Sequence, residues 1–292
     1  MRSETKRQGI LRLKTPAKIT PFLQVLGMRS DGFHEVRIAL APVSLFDRLT
    51  LGPRDSPGIS LRVESPDPLG VVEDNLVYRA ALAFQKKLGR PLAVDFELRK
   101  IIPSGAGLGG GSANAAGALL ALNAFHQNPL TRDNLLEIGL ALGSDVPFFL
   151  QPRPALAGGR GEGLEALRGF PSFSLLVVKP PFAIATGWAY GQVKSNAGRP
   201  GPPALDSLQA VVAGLRNDFE PVLFAHHPEL GRIKDALLAH HAAGALLSGS
   251  GSAVFGVYAT KKRRDDALAA LAGEGSWQLL PCEVLAEHRY LS

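Results

Sequence analysis

The stretch IIPSGAGLGGGSANAAGALLALN, residues 101–123, sets five glycines into the seven positions from Gly105 to Gly111 and then runs into an alanine- and leucine-rich segment of helical character. Glycine carries no side chain, so its backbone N–H groups can approach a ligand closely. A helix start just behind adds unpaired donors and the positive end of the helix dipole. Such a place binds phosphate. A tight strand-to-helix turn needing positive φ accounts for one or two glycines, hardly for five together with Ser104 and Ser112.

Two common phosphate loops do not fit. A P-loop ends in Gly-Lys-Ser/Thr, whereas Gly111 stands directly before Ser112 with no lysine between. A dinucleotide fingerprint is formally present as Gly105-x-Gly107-x-x-Gly110, with Asp133 near the acidic position. The residues before Asp133, LNAFHQNPL, read as a helix end and a proline break rather than the strand that fingerprint requires.

Outward from the loop, VDFELRKII alternates as a strand, preceded by a helix on which Leu76, Ala80, Ala83 and Phe84 recur. Residues 52–70, rich in Pro, Gly and Asp, read as a loop. Nearer the start, Leu11 and Leu13 alternate with Arg12 and Lys14, and 18–26 and 33–41 read as strands about the turn MRSDG. After the glycines a helix is expected over 112–126, then one capped by Thr131 and ending near Gly143. QPRPALAGGRGEG marks a domain boundary, dividing the chain into 1–152 and 153–292. Beyond it FSLLVV is a strand, 197–206 is a loop, and helices are expected over 205–215 and 218–241. AGALLSGSGSAVFGVY reads as strand, glycine turn, strand, followed by a helix over 262–273 and a strand over 276–281. The fold class is α+β: a mixed α/β first domain and a second α+β domain with an antiparallel sheet.

A chain of 292 residues, 46% hydrophobic, buries a sizeable core. The net charge of +6 is scattered except for Lys261–Arg264, which reads as a solvated helix start, so nucleic acid is not expected as a partner. Cys282 is alone, which rules out an internal disulfide and a cysteine zinc cluster and fits a reducing compartment. The charged segment MRSETKRQG lacks the apolar core of a signal peptide, and no run reaches membrane-spanning length, so a cytoplasmic location is expected.

The whole string PSGAGLGGGSANAA resembles the ATP-binding motif of the galactokinase, homoserine kinase, mevalonate kinase and phosphomevalonate kinase superfamily. TPAKITPFLQVLGMRSDGFHEV (15–36) resembles the amino-terminal signature of the 4-diphosphocytidyl-2-C-methyl-D-erythritol kinase family, and LGSDVPFFL (142–150) its catalytic aspartate motif. EDNLVYRAA, GRGEGLEAL and SGSGSAVFGV extend the similarity, in order, along most of the chain. The resemblance implies ATP-dependent phosphorylation of the 2-hydroxyl of 4-diphosphocytidyl-2-C-methyl-D-erythritol, in isoprenoid precursor synthesis by the non-mevalonate route.

It also implies roles. ATP would lie over Pro103, Ser104, Gly105, Ala106, Gly107, Leu108, Gly109, Gly110, Gly111 and Ser112. Asp145 would take the hydroxyl proton and Lys18 would stand beside it, a cation next to a carboxylate favouring the ionised form. Residue types alone would make Ser144-Asp145 an ordinary turn or cap and Lys18 a solvated strand lysine. Phe33 and His34 fall on the family's cytidine site, Phe33 replacing the more usual tyrosine, and Thr186 and Tyr190 fall on its threonine and second stacking aromatic, with Trp188 as the alternative to Tyr190. Thr20 stands where the family usually has asparagine, a shorter group with fewer hydrogen-bonding sites, and is expected to meet substrate.

No protein metal cluster is expected. Mg²⁺ would come with ATP, Ser112 and Glu73 being possible helpers. The pairs His226/His227 and His240/His241 lack zinc spacing and read as solvated helix faces. Two other readings stay open: a homoserine- or mevalonate-type kinase on the same fold, and a nucleotide-binding regulator without catalysis.

Overall fold

The computed structural model describes residues 9–66, 70–196 and 198–290; the charged segment 1–8 and parts of the two Pro- and Gly-rich loops (67–69 and 197) lie outside them. The chain begins with a long antiparallel hairpin, β1 (Leu11–Met28) and β2 (His34–Pro53). The separate strand pieces expected at 11–14, 18–26 and 33–41 are thus continuous, and β2 runs on to residue 53. Pro16 and Pro21 do not interrupt β1, because register shifts at Pro16/Ala17 and Ile19/Phe22 remove the need for a ladder N–H there.

β3 (Gly58–Glu64) is a correction to the expected loop over 52–70. Ile59, Leu61 and Val63 alternate with Ser60, Arg62 and Glu64, and the strand lies parallel to β4 (Ala93–Arg99), with α1 (Leu76–Leu88) as the crossover. Asn75 caps α1 by accepting from the Val77 N–H, and Gly89 closes it in the left-handed conformation. α2 (Gly110–Phe125) follows the glycine loop, and α3 (Arg132–Leu142) starts in a capping box between Thr131 and Asn134, ending at Gly143 as expected. The short α4 is Val146–Leu150. β5 (Ala155–Gly158) and β6 (Gly163–Ala166), past the boundary expected at 152/153, form a hairpin on the first sheet through pairs such as Ile38↔Ala157.

The rest comprises β7 (Ser174–Lys179), α5 (Thr186–Gln192), α6 (Leu208–Gly214), β8 (Arg216–Asn217), α7 (Glu220–His226), α8 (Pro228–Ala239), β9 (Gly244–Leu247), β10 (Val254–Tyr258), α9 (Lys261–Leu271) and β11 (Gln278–Glu283). The single helix expected over 218–241 is two, because Pro228 pushes His227 out of helical geometry, to φ −132° and ψ 76°. Among the described residues the first sheet runs β3-β4-β2-β1-β8 with β5 and β6 appended, and the second is antiparallel, β11-β7-β10-β9. This is the expected α+β architecture.

The β1–β2 hairpin is buried on both faces, which explains its near-continuous apolar run. Leu23, Val25, Leu40 and Leu49 belong to the core that includes α1 and α2, whereas Ala17, Ile19, Phe22, Ala41 and Val43 meet Leu175, Val177, Phe255 and Val257 of the second sheet. Cys282 is buried in β11, and burial pushes its thiol up to about 12, leaving it an unreactive core residue.

Candidate active site

α2 begins where Gly109 takes φ +71°, and no side chain caps its first turn. The N–H groups of Gly110, Gly111 and Ser112 are therefore free of the usual cap at the mouth of a cleft of about 880 Å³, which these three residues line. Three of the five glycines, Gly105, Gly107 and Gly109, have positive φ. Backbone conformation thus asks for more of them than the one or two expected. Close packing asks as well: a Cβ on Gly107 would lie 2.0 Å from the Ser248 carbonyl oxygen.

That contact belongs to a joint between the two sheets. The turn between β9 and β10 grips the loop through Ser248 Oγ donating to the Gly107 carbonyl (3.1 Å), Ser252 N–H to Gly105 (3.3 Å) and Ala253 N–H to Ala106 (3.1 Å). Asn217 braces this turn by donating to the Leu247 and Gly249 carbonyls, both at 2.8 Å. Gly249 and Ser250 line the cleft, so the second glycine turn lies beside the first.

Lys18 reaches the same cleft from β1. Its N–H donates to the Leu108 carbonyl (2.9 Å), its ammonium donates to Thr20 Oγ1 (3.0 Å), and the ammonium stands 3.7 Å from Asp145 Oδ2. Lys18 and Thr20 are two apart on a strand and share a face. Both are buried, which excludes the solvated-lysine reading. Asp145 occupies the cap position of α4 without making a side-chain cap bond, so its carboxylate, one-third exposed, is left to face Lys18 and the cleft.

Phe33, His34, Thr186 and Tyr190 line the same cleft. The Arg160 guanidinium lies over the Phe33 ring at 4.4 Å. Tyr190 packs its ring 5.1 Å from that of His34 and 4.9 Å from Phe219. Burial, and secondarily the Asp145 charge, push its phenol up to about 12, so it remains a hydrogen-bond donor at neutral pH. Thr186 shares a hydrogen bond with Ser250 (3.0 Å). Trp188, the alternative to Tyr190, instead packs edge-on against His226 and His227. His227 stacks on Phe182 at the α7–α8 break and is not on a solvated helix face. Every residue singled out for ATP, catalysis or substrate lines this one cleft.

Arg160, Lys100 and Asn114 line it too and were not foreseen, whereas Ser250 belongs to the second glycine turn, Ser248–Phe255, that the resemblance brings toward the ligands. Arg160 sits in the quoted segment GRGEGLEAL, which carries the family resemblance without assigning a role to this cation. Among the described residues no three His, Cys, Asp or Glu gather to hold a metal ion. Glu73 is exposed in a short 3₁₀ turn outside the cleft lining, whereas Ser112 is part of it. No helix of the described residues is long and apolar enough to cross a membrane.

Family models described as GHMP kinases N terminal domain and GHMP kinases C terminal match residues 75–152 and 203–276. A 4-diphosphocytidyl-2-C-methyl-D-erythritol kinase of Geobacter sp. (strain M21) is 40% identical over 273 residues, 91% of this chain and 96% of the relative. The enzyme of that name from Pelotomaculum thermopropionicum is 43% identical over 83% of this chain and 87% of its own length. A crystal structure of 4-(cytidine 5'-diphospho)-2C-methyl-D-erythritol kinase superposes with a TM-score of 0.80 at 36% identity, covering 93% of this chain and 99% of that one. Mevalonate kinase of L. major shares the fold, with a TM-score of 0.75 at 17% identity over 98% of this chain and 99% of its own. With an amide-lined loop, a lysine–aspartate pair and aromatic side chains in one cleft, and with this likeness over nine-tenths of its length, the chain belongs to the 4-diphosphocytidyl-2-C-methyl-D-erythritol kinase family of the GHMP kinases.

Proposed function

We propose that the chain transfers the γ-phosphoryl group of ATP to the 2-hydroxyl of 4-diphosphocytidyl-2-C-methyl-D-erythritol, with Asp145 as base and Lys18 as the charge that meets the transferring group. The supporting observation is the 3.7 Å approach of the Lys18 ammonium to the Asp145 carboxylate, beside a helix start with uncapped amides. Phosphoryl transfer is mostly positioning and neutralisation. The loop 103–112 receives the phosphates on its amides, and the hydroxyl oxygen forms its bond to phosphorus as the bond to the ADP oxygen breaks. Asp145 accepts the hydroxyl proton in that step. Lys18 and the α2 amides oppose the negative charge on the phosphoryl oxygens.

Thr20 orients Lys18 through the 3.0 Å hydrogen bond, so its first duty is to the lysine and its contact with substrate is secondary. The cytosine enters between Phe33 and Tyr190 with His34 at its polar edge, taking the ring face that Arg160 now covers. The oxygen-rich, carboxylate-poor lining suits Mg²⁺ held by phosphates and water, with the Ser112 hydroxyl as the protein's contribution. When bound, that ion would neutralise phosphate charge. We take residues 1–152 as the nucleotide-binding and catalytic part and 153–292 as the substrate-binding part, and assign the cytoplasm as the chain's place, on the lone buried Cys282.

An ADP-release assay over a panel of alcohols tests the reading. Turnover confined to the cytidine substrate supports it. Turnover with homoserine or mevalonate instead, or ATP binding without turnover, overturns it.

A further inference from the structure

The glycine loop bridges from the end of β4 to the first turn of α2, and both ends are tied to one fully buried carboxylate. Asp47 lies on β2, one residue past the Arg48↔Arg99 pair at which the β2–β4 ladder stops. Beyond that pair the strand's amides need other partners. Asp47 Oδ1 accepts from the N–H groups of Ile101 (2.6 Å) and Ile102 (2.8 Å). Its Oδ2 accepts from the Lys100 ammonium and from Asn114 Nδ2 (2.9 Å) on α2, whose Oδ1 in turn accepts from Thr15 Oγ1 (2.5 Å) across the hairpin. The Lys100 ammonium is close enough to α2 that a Cβ on Gly110 would stand 3.1 Å from it. Satisfying two strand-end amides would need only a neutral acceptor. Here a charge is buried, paired and hydrogen-bonded at four points, an arrangement whose worth lies in specifying one geometry more than in stability.

We propose that Asp47 is the positioning residue of the nucleotide site, fixing the distance that residues 103–109 span and so the aim of the α2 amides. The proposal rests on the kinase reading above and deepens it. Asp47→Asn alone leaves the Lys100 charge buried without its partner, so the deciding variant is the neutral pair Asp47→Asn/Lys100→Met, read against Lys100→Met alone because Lys100 itself lines the cleft, with the milder Asn114→Ala cutting the tether to α2 together with the bond from Thr15. KM and Kd for ATP are expected to rise at least tenfold in the pair and about threefold in Asn114→Ala. kcat at saturating ATP should stay within about threefold, and KM for the alcohol within about twofold. Amide hydrogen exchange should quicken in 103–112 while α1 and the second sheet keep their wild-type rates. Unchanged ATP affinity and loop exchange in both variants would overturn the proposal, as would a drop in all constants that merely follows a lowered Tm. If the wild-type chain fails to bind ATP, the kinase reading falls and this one with it. If it turns over normally and the neutral pair binds ATP as well as wild type, only the role of Asp47 falls.

Discussion

The Lys18 ammonium donates to the Thr20 hydroxyl at 3.0 Å, so the residue at the position where the family usually carries asparagine holds the lysine that faces Asp145. Thr20→Val removes that acceptor while keeping the shape. It should lower kcat about tenfold and move KM for the alcohol by less than about threefold, because a misaimed charge is felt mainly in the transition state. Thr20→Ser keeps the hydroxyl and should stay near wild type. Steady-state kinetics with both substrates varied checks this; a change confined to KM would make Thr20 a substrate contact instead.

Asp145→Asn should cut kcat by about 10³-fold while ATP affinity, measured by calorimetry, stays within about threefold. Its side chain makes no cap bond to α4 but does face the buried Lys18 ammonium, so melting should fall modestly as that charge loses its partner, and near-normal turnover would remove Asp145 from the role of base.

Lys18→Met should cost about 10²- to 10³-fold in kcat, the loss expected when one donor to a developing charge is removed. The double variant with Asp145→Asn should fall short of the product of the single losses, since the two act as a unit.

Gly107→Ala places a Cβ 2.0 Å from the Ser248 carbonyl oxygen at φ +72°. Overpacking and a left-handed residue together should cost about 3 kcal/mol or more of stability. Thermal unfolding reads that loss, and KM for ATP should rise with it because the loop must leave the β9–β10 turn.

How much of this was readable beforehand follows from what each signal depends on. The Thr131 cap, the Gly143 stop and the β-rich apolar run of FSLLVV are local, and they held. β3 was missed because Pro and Gly around it outweighed the alternation of Ile59, Leu61 and Val63, and because its partner β4 lies a helix away in sequence. Lys18 and Asp145 came from motif likeness; nothing local separates them from a strand lysine and a cap. The Asp47 cluster joins residues 15, 47, 100 to 102 and 114, separations that no periodicity within a segment reveals. Arg160 over Phe33 was missed for the same reason.

Acidity should weaken the fold through two histidines. Burial lowers the pKa of His126, aided by the Arg90 charge, and burial likewise lowers that of His288 against the opposing effect of its bond to the Lys14 carbonyl. The unfolded chain titrates them near 6.5, so below that pH it binds more protons than the folded chain, and stability falls as pH drops through the folded values. Tm should decline between pH 7.5 and 5.5, and His126→Gln should flatten the decline. An equal slope in the variant would take His126 out of the account.

The stitching of the 105–107 segment to the 248–253 turn runs mostly through main-chain atoms, with Ser248 as the lone side chain among its three bonds. Gly107 apart, where any Cβ would strike the Ser248 carbonyl, side-chain identity therefore matters little at this seam, and distant cousins can diverge on either side without breaking it. A chimera that exchanges everything after β6 for the matching part of a relative should assemble a working catalyst, whereas the two fragments made as separate, unlinked polypeptides would each leave the seam open to water.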